Sequence, residues 1–161
     1  LYRNCYNALV VIQVGNSVVH YVGKDGEFEF VSDSKFEEEL KLMGEQSTVN
    51  INNRSGTEYL MYDEYDLFGI EWYNFVPNGC YCIDKVVADE IPIWSAKGCE
   101  QRFSMASVYV DGDDKLVELG YRDNGEMKEL FFWGDKEKYD EITFEEFEQR
   151  YHALQEKIDS A

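Results

Sequence analysis

The chain has 161 residues, and its 15 Lys+Arg against 33 Asp+Glu give a formal net charge of −18. Hydrophobic residues make up 44% and aromatics 16%, too apolar and too aromatic for a disordered acidic tail. The longest apolar run, residues 8–12, is far short of the roughly 18 residues a membrane helix needs, and so acidic a surface repels the phosphates of DNA and RNA. The length suits one compact acidic domain over residues 1–161.

Charge is unevenly placed. Residues 1–24 hold no acid, only Arg3 and Lys24, so the remaining positions carry the whole excess. Residues 1–16 lack the basic start, apolar stretch and small-residue cleavage site of a secretory signal. The expected compartment is therefore the cytoplasm, with secretion as the alternative.

Residues 8–14, apolar except for Gln13 and rich in Val and Ile, predict a strand buried on both faces. Gly15-Asn16-Ser17 turns the chain into a second strand, residues 18–22. There His20 shares a face with Val18 and Val22 and reads as a sheet residue rather than a catalyst. Residues 23–26 turn again into residues 27–31, with Phe28 and Phe30 on one face and Glu27 and Glu29 on the other. A short helix is expected near 34–43: Ser34 and Glu37 have capping-box spacing, Phe36, Leu40 and Met43 form the buried stripe, and Gly44 ends it.

The middle of the chain gives strand candidates at 49–51, 59–62, 68–76, 81–87 and 91–94, punctuated by Asn, Gly and Pro. Pro92 places its segment on an edge or outside the sheet. Asn53-Arg54-Ser55 matches the N-glycosylation pattern, which is common by chance. Cys5, Cys80, Cys82 and Cys99 are too few for a disulfide scaffold, and the Cys80/Cys82 spacing is not that of a zinc site; unlinked thiols are expected.

The last third carries the clearest hairpins. Residues 103–110 lead through Asp111-Gly112-Asp113-Asp114 into 116–121, and Asn124-Gly125 turns the chain into 127–133. A C-terminal helix near 144–158 begins at a Thr143/Glu146 capping box and carries Phe144, Phe147, Tyr151, Leu154 and Ile158 on one face. His152 lies beside that stripe as a surface residue. The expected fold is α+β: a mostly antiparallel, strongly curved sheet or barrel-like meander with these two helices.

Catalytic signatures are weak. There is no G-x-S-x-G and no phosphate-binding glycine loop, and the aspartates at 111–114 lack the ligand spacing of a calcium loop, so they read as a hairpin turn. No catalytic residue, metal ligand or cofactor is assigned. The distinctive feature is residues 59–73, which interleave aromatics with carboxylates. From residue 55 to 84 there is no Lys or Arg at all. Tyr62, Asp63, Glu64, Tyr65, Asp66, Glu71, Trp72 and Tyr73, with Asp111, Asp113 and Asp114, are the candidate partner-binding residues. Tyrosine and tryptophan give rigid contact area, and carboxylates beside them attract a partner's Lys and Arg.

That pattern suggests a protein that neutralises a basic partner by occlusion. Such a chain could be an immunity protein against a nuclease-type toxin, or a DNA mimic that inhibits a nucleic-acid enzyme. The partner is then a basic protein, with no nucleic acid and no membrane bound directly. Two other classes stay open: a β-barrel that holds a small ligand, which requires a large aromatic-lined cavity, and a hydrolase with paired carboxylates, which requires acids converging in a cleft with raised pKa values.

Overall fold

Short turns fold the first apolar runs onto one another. The computed structural model describes residues 2–3, 7–24, 26–67, 69–79 and 81–159, leaving aside the side chains of Tyr2, Arg3, Asn7, Leu67 and Ile158. Strands β1 (Tyr2–Arg3), β2 (Asn7–Val14), β3 (Ser17–Lys24) and β4 (Glu27–Val31) form an antiparallel sheet in that order. Helix α1 (Asp33–Gln46) then crosses one face of it. Leu9, Val22, Val31 and Phe36 are buried there, with Leu40 and Met43 packed against them. His20 stacks on Phe36 with ring centroids 4.2 Å apart, and its Nδ1 lies 2.9 Å from Asp33 Oδ1. It is a sheet residue locked against the helix.

The rest of the chain builds two further sheets. Strands β5 (Thr48–Asn50), β8 (Lys85–Ala88) and β9 (Ile91–Ser95) make a small sheet, with β5 and β8 parallel. A six-stranded antiparallel sheet runs β13-β12-β11-β10-β7-β6, from β6 (Leu60–Leu67), β7 (Ile70–Pro77), β10 (Gln101–Asp111), β11 (Asp114–Asp123), β12 (Glu126–Gly134) and β13 (Tyr139–Ile142). Alternation along these strands gives the large sheet two apolar faces. One puts Tyr73, Phe75, Ala106, Val108, Val117, Leu119 and Phe132 against Val49, Ile51, Ile83, Val86 and Trp94 in a single buried cluster. The other carries helix α2 (Phe144–Asp159), which lies over β7, β11 and β12.

Local signals are satisfied where they are self-contained. Thr143 and Glu146 close the capping box: the Glu146 backbone N donates to Thr143 Oγ1 at 3.2 Å, and the Thr143 backbone N donates to Glu146 Oε2 at 2.9 Å. Asn124 and Gly125 have φ of 51° and 87°, the left-handed pair that a two-residue hairpin turn needs. Pro92 lies in β9 at the edge of its sheet, where its missing N–H costs no ladder bond.

Four expectations are corrected. The strands do not close into a barrel: β6 and β13 both remain edges of the large sheet. The helix expected near 34–43 begins at Asp33, because Ser32 rather than Ser34 is the cap and accepts from the Lys35 backbone N at 3.3 Å. It also runs through Gly44 to Gln46. The run 8–14 is not buried on both faces: Leu9 is fully buried, but Ile12 is 43% and Val14 68% exposed. Finally, residues 81–84 precede β8 rather than belonging to it. Cys5 and Cys80 lie outside the described residues, and Cys99 is an exposed free thiol.

Candidate functional site

Strands β6 and β7 are one hairpin, closed by Gly69 at φ 88° and by Asp66 Oδ1, which accepts from the Gly69 backbone N at 2.8 Å. Pairing Glu64 with Tyr73 and Tyr65 with Trp72 sorts the acidic-aromatic residues onto opposite faces. Tyr62, Glu64, Asp66, Glu71 and Tyr73 lie on the face toward the small sheet, while Asp63, Tyr65 and Trp72 lie on the face toward α2.

On the first face the loop after β5 brings in Arg54. Its guanidinium pairs with both Glu64 and Glu71, donates from Nε to the Tyr62 hydroxyl at 3.3 Å, and sits 4.7 Å over the Tyr73 ring. The Tyr62 hydroxyl in turn donates to Glu64 Oε2 at 2.6 Å, and that bond, with the Arg54 charge, holds the Glu64 carboxyl below its ordinary value. Tyr73 is fully buried and donates to the Ile51 carbonyl at 3.1 Å, and burial pushes its hydroxyl pKa up. It is a core residue and offers a partner no surface.

Next to this clamp, Lys115 bonds Asn52 Oδ1, while the Asn52 and Asn50 side-chain amides donate to Asp89 at 2.6 and 3.1 Å. Asn52 and Asp89 line an open groove of about 420 Å³ together with Ala88, Glu90, Ile91 and Lys136. A second groove, of about 380 Å³, lies beside α1 among Lys24, Glu27, Glu29, Lys35 and Glu39. Both are open surface grooves of mixed lining, the second including Val22 and Phe28, and neither is the enclosed aromatic-lined interior that a small-ligand barrel requires.

On the α2 face a stack of rings runs inward. Tyr65 lies on Trp72 at 4.6 Å, Trp72 on Tyr109 at 5.9 Å, and Tyr109 meets Tyr151 edge-on at 5.1 Å. Trp72 Nε1 is shut off from water and has no acceptor among the described residues. The outer ring, Tyr65, is 46% exposed, with Asp63 on its own face and Asp66, next along the strand, on the other. Neither aspartate forms an ion pair among the described residues. Further across this face, burial and then Glu129 raise the Glu118 carboxyl above its usual range, but neither groove reaches it.

The β10–β11 turn supplies the other candidates. Asp111 pairs with Lys157 of α2 at 2.7 Å, Asp113 pairs with Lys136 at 2.7 Å, and Asp114 opens β11 opposite Asp111. The register Tyr109↔Trp72 brings this turn to the same end of the sheet as the β6–β7 turn. With strands about 4.8 Å apart, the two turns are about 10 Å from one another. Of the eleven candidates, ten therefore lie on this hairpin surface or at this rim, and Tyr73 lies beneath it.

Arg54 is the residue that sequence reasoning missed. It sits one position before the stretch without Lys or Arg, and its place next to a long acidic run is the signal that could have found it. Among the described residues, no group of three His, Cys, Asp or Glu side chains is placed to hold a metal. No family model, curated protein or solved structure matches the chain.

Proposed function

We propose that the chain is an acidic binding protein that occludes a basic partner, either a nuclease-type toxin or another enzyme that works on nucleic acid. The observation that carries this reading is the register Tyr109↔Trp72, which gathers two acidic turns distant in sequence into one rim. The rim surrounds an exposed tyrosine backed by a stack of rings. Tyr65 is the rigid anchor, and Asp63 and Asp66 stand outside every ion pair among the described residues. Asp111 and Asp113 hold only lysines that are 62% and 75% exposed, which a partner's Lys or Arg can displace.

The remaining candidates have supporting roles. Arg54 fixes Glu64 and Glu71 in place, so these carboxylates meet a partner already ordered and lose little side-chain entropy on binding. A complex of this kind forms quickly at low salt and weakens as salt slows association.

The test is capture from the native cell lysate at low salt, by wild type and by Asp63→Asn/Asp66→Asn, followed by a salt step and mass spectrometry. Wild type is expected to retain a basic protein that the double variant loses. Equal retention by both would refute the rim as the binding site.

A further inference from the structure

The first sheet carries a second surface of opposite chemistry. The registers Val10↔Tyr21, Ile12↔Val19, Tyr21↔Phe30 and Gly23↔Phe28 place these side chains on the face away from α1. None of the described side chains on it is charged, and the register Arg3↔Ala8 sets Arg3 at its corner. The Phe28 ring lies so close over Gly23 that a Cβ there would meet it at 2.7 Å. Neither buried cluster of the molecule includes a residue of this face. Val14 is 68%, Phe30 63% and Phe28 58% exposed. Among the described residues, β1 pairs only with Ala8 and Leu9, which leaves the rest of the outer edge of β2 without a strand partner.

We propose that this face is where two copies of the chain dock, sheet against sheet, about a two-fold axis. An occupant must be mainly apolar, because the described side chains of the face offer it no charge to pair. A basic partner suits the acidic rim but not this surface. The complementary surface lies in the chain itself, and a two-fold axis needs only one such face from each copy. Phe28 and Phe30, each with more than half of about 200 Å² open, together with Ile12, Val14 and their half-buried neighbours, expose about 550 Å² per copy. A pair therefore buries about 1,100 Å², just above the roughly 1,000 Å² that a specific interface needs.

An interface of that size gives a concentration-dependent dimer, with Kd between about 1 and 100 µM. Each copy carries −18, so the two repel one another, and salt tightens the dimer by screening them. That sign is opposite to the one expected for the acidic rim, so the two proposals fail separately.

The experiment is sedimentation velocity on the full chain from about 1 to about 300 µM, at about 50 and about 500 mM salt. The average mass is expected to rise toward two copies, with the midpoint several-fold lower at high salt. Phe30→Lys and Val14→Lys, both at exposed positions, are each expected to keep the monomer throughout with unchanged melting curves. Four results would overturn the proposal: a monomer at every concentration and salt, a dimer unaffected by both substitutions, a dimer that salt dissociates, or a monomer that instead floats with phosphatidylcholine vesicles.

Discussion

The two sheets that begin this chain and end it are built from similar strands and finished differently. The six-stranded sheet is covered twice, by the small β5-β8-β9 sheet on one face and by α2 on the other. Among the described residues the β1–β4 sheet is covered once, by α1, and its second, mainly apolar face stays open. An alternating or continuous apolar strand shows that a face is fit to be buried; whether a second layer exists to bury it depends on the rest of the chain. In the second region the chain supplies both layers. In the first it supplies one, and the copy-to-copy docking proposed above supplies the other.

Substitutions separate the two regions by size of effect. Phe75→Ala removes a fully buried ring from the large core and is expected to cost about 3–5 kcal/mol in chemical denaturation. Phe30→Ala on the open face, measured on dilute monomer, should cost less than about 0.5 kcal/mol. Leu9→Ala comes next, at about 2–4 kcal/mol, because Leu9 is fully buried in the small core. Trp72, Trp94 and Trp133 all lie in the second region. Tryptophan fluorescence should therefore report an almost unchanged transition in Leu9→Ala while far-UV circular dichroism shows an earlier one. Coincident transitions by both probes would join the two regions into one cooperative unit and break the comparison.

Smaller effects sharpen it at the acidic hairpin. Arg54→Met leaves Glu64 and Glu71 without their cation and uncovers the Tyr73 ring. About half of each carboxylate is exposed, so solvent screening limits the loss to about 1 kcal/mol, and added salt should recover part of it. Glu118→Gln is the smallest. Burial raises the Glu118 pKa in the folded state, so the folded chain holds that proton more tightly than the unfolded chain does. Wild type therefore gains stability at this position as pH falls from neutral through the raised folded value toward the unfolded one, and keeps the gain below it. Glu118→Gln lacks that gain and should be more stable than wild type at neutral pH by a few tenths of a kcal/mol, after allowance for partial exposure. Equilibrium unfolding of both proteins across that pH range reads the difference.

What the sequence revealed was local. The Asn124-Gly125 hairpin and the Thr143/Glu146 capping box each depend on neighbours a few residues apart, and both are where they were expected. So is the Phe28/Phe30 alternation. What it hid was long-range. The pairing of Phe28 and Phe30 on one face says nothing of what lies above them. Residues 59–73 read as interleaved aromatics and acids, but the turn at Gly69 folds them into a hairpin whose two faces meet different layers. Tyr73 belongs to the core for that reason. Arg54 reaches back across a loop to two of the acids, a contact that no count of charge along the chain exposes.

The central claim is that the first region is completed only by another copy, and hydrogen exchange tests it most directly. Amides of residues 10–14 and 28–31 should become several-fold better protected between about 1 and about 300 µM protein, while those of β10, β11 and β12 stay unchanged. Protection at residues 10–14 and 28–31 that does not change with concentration would contradict the account.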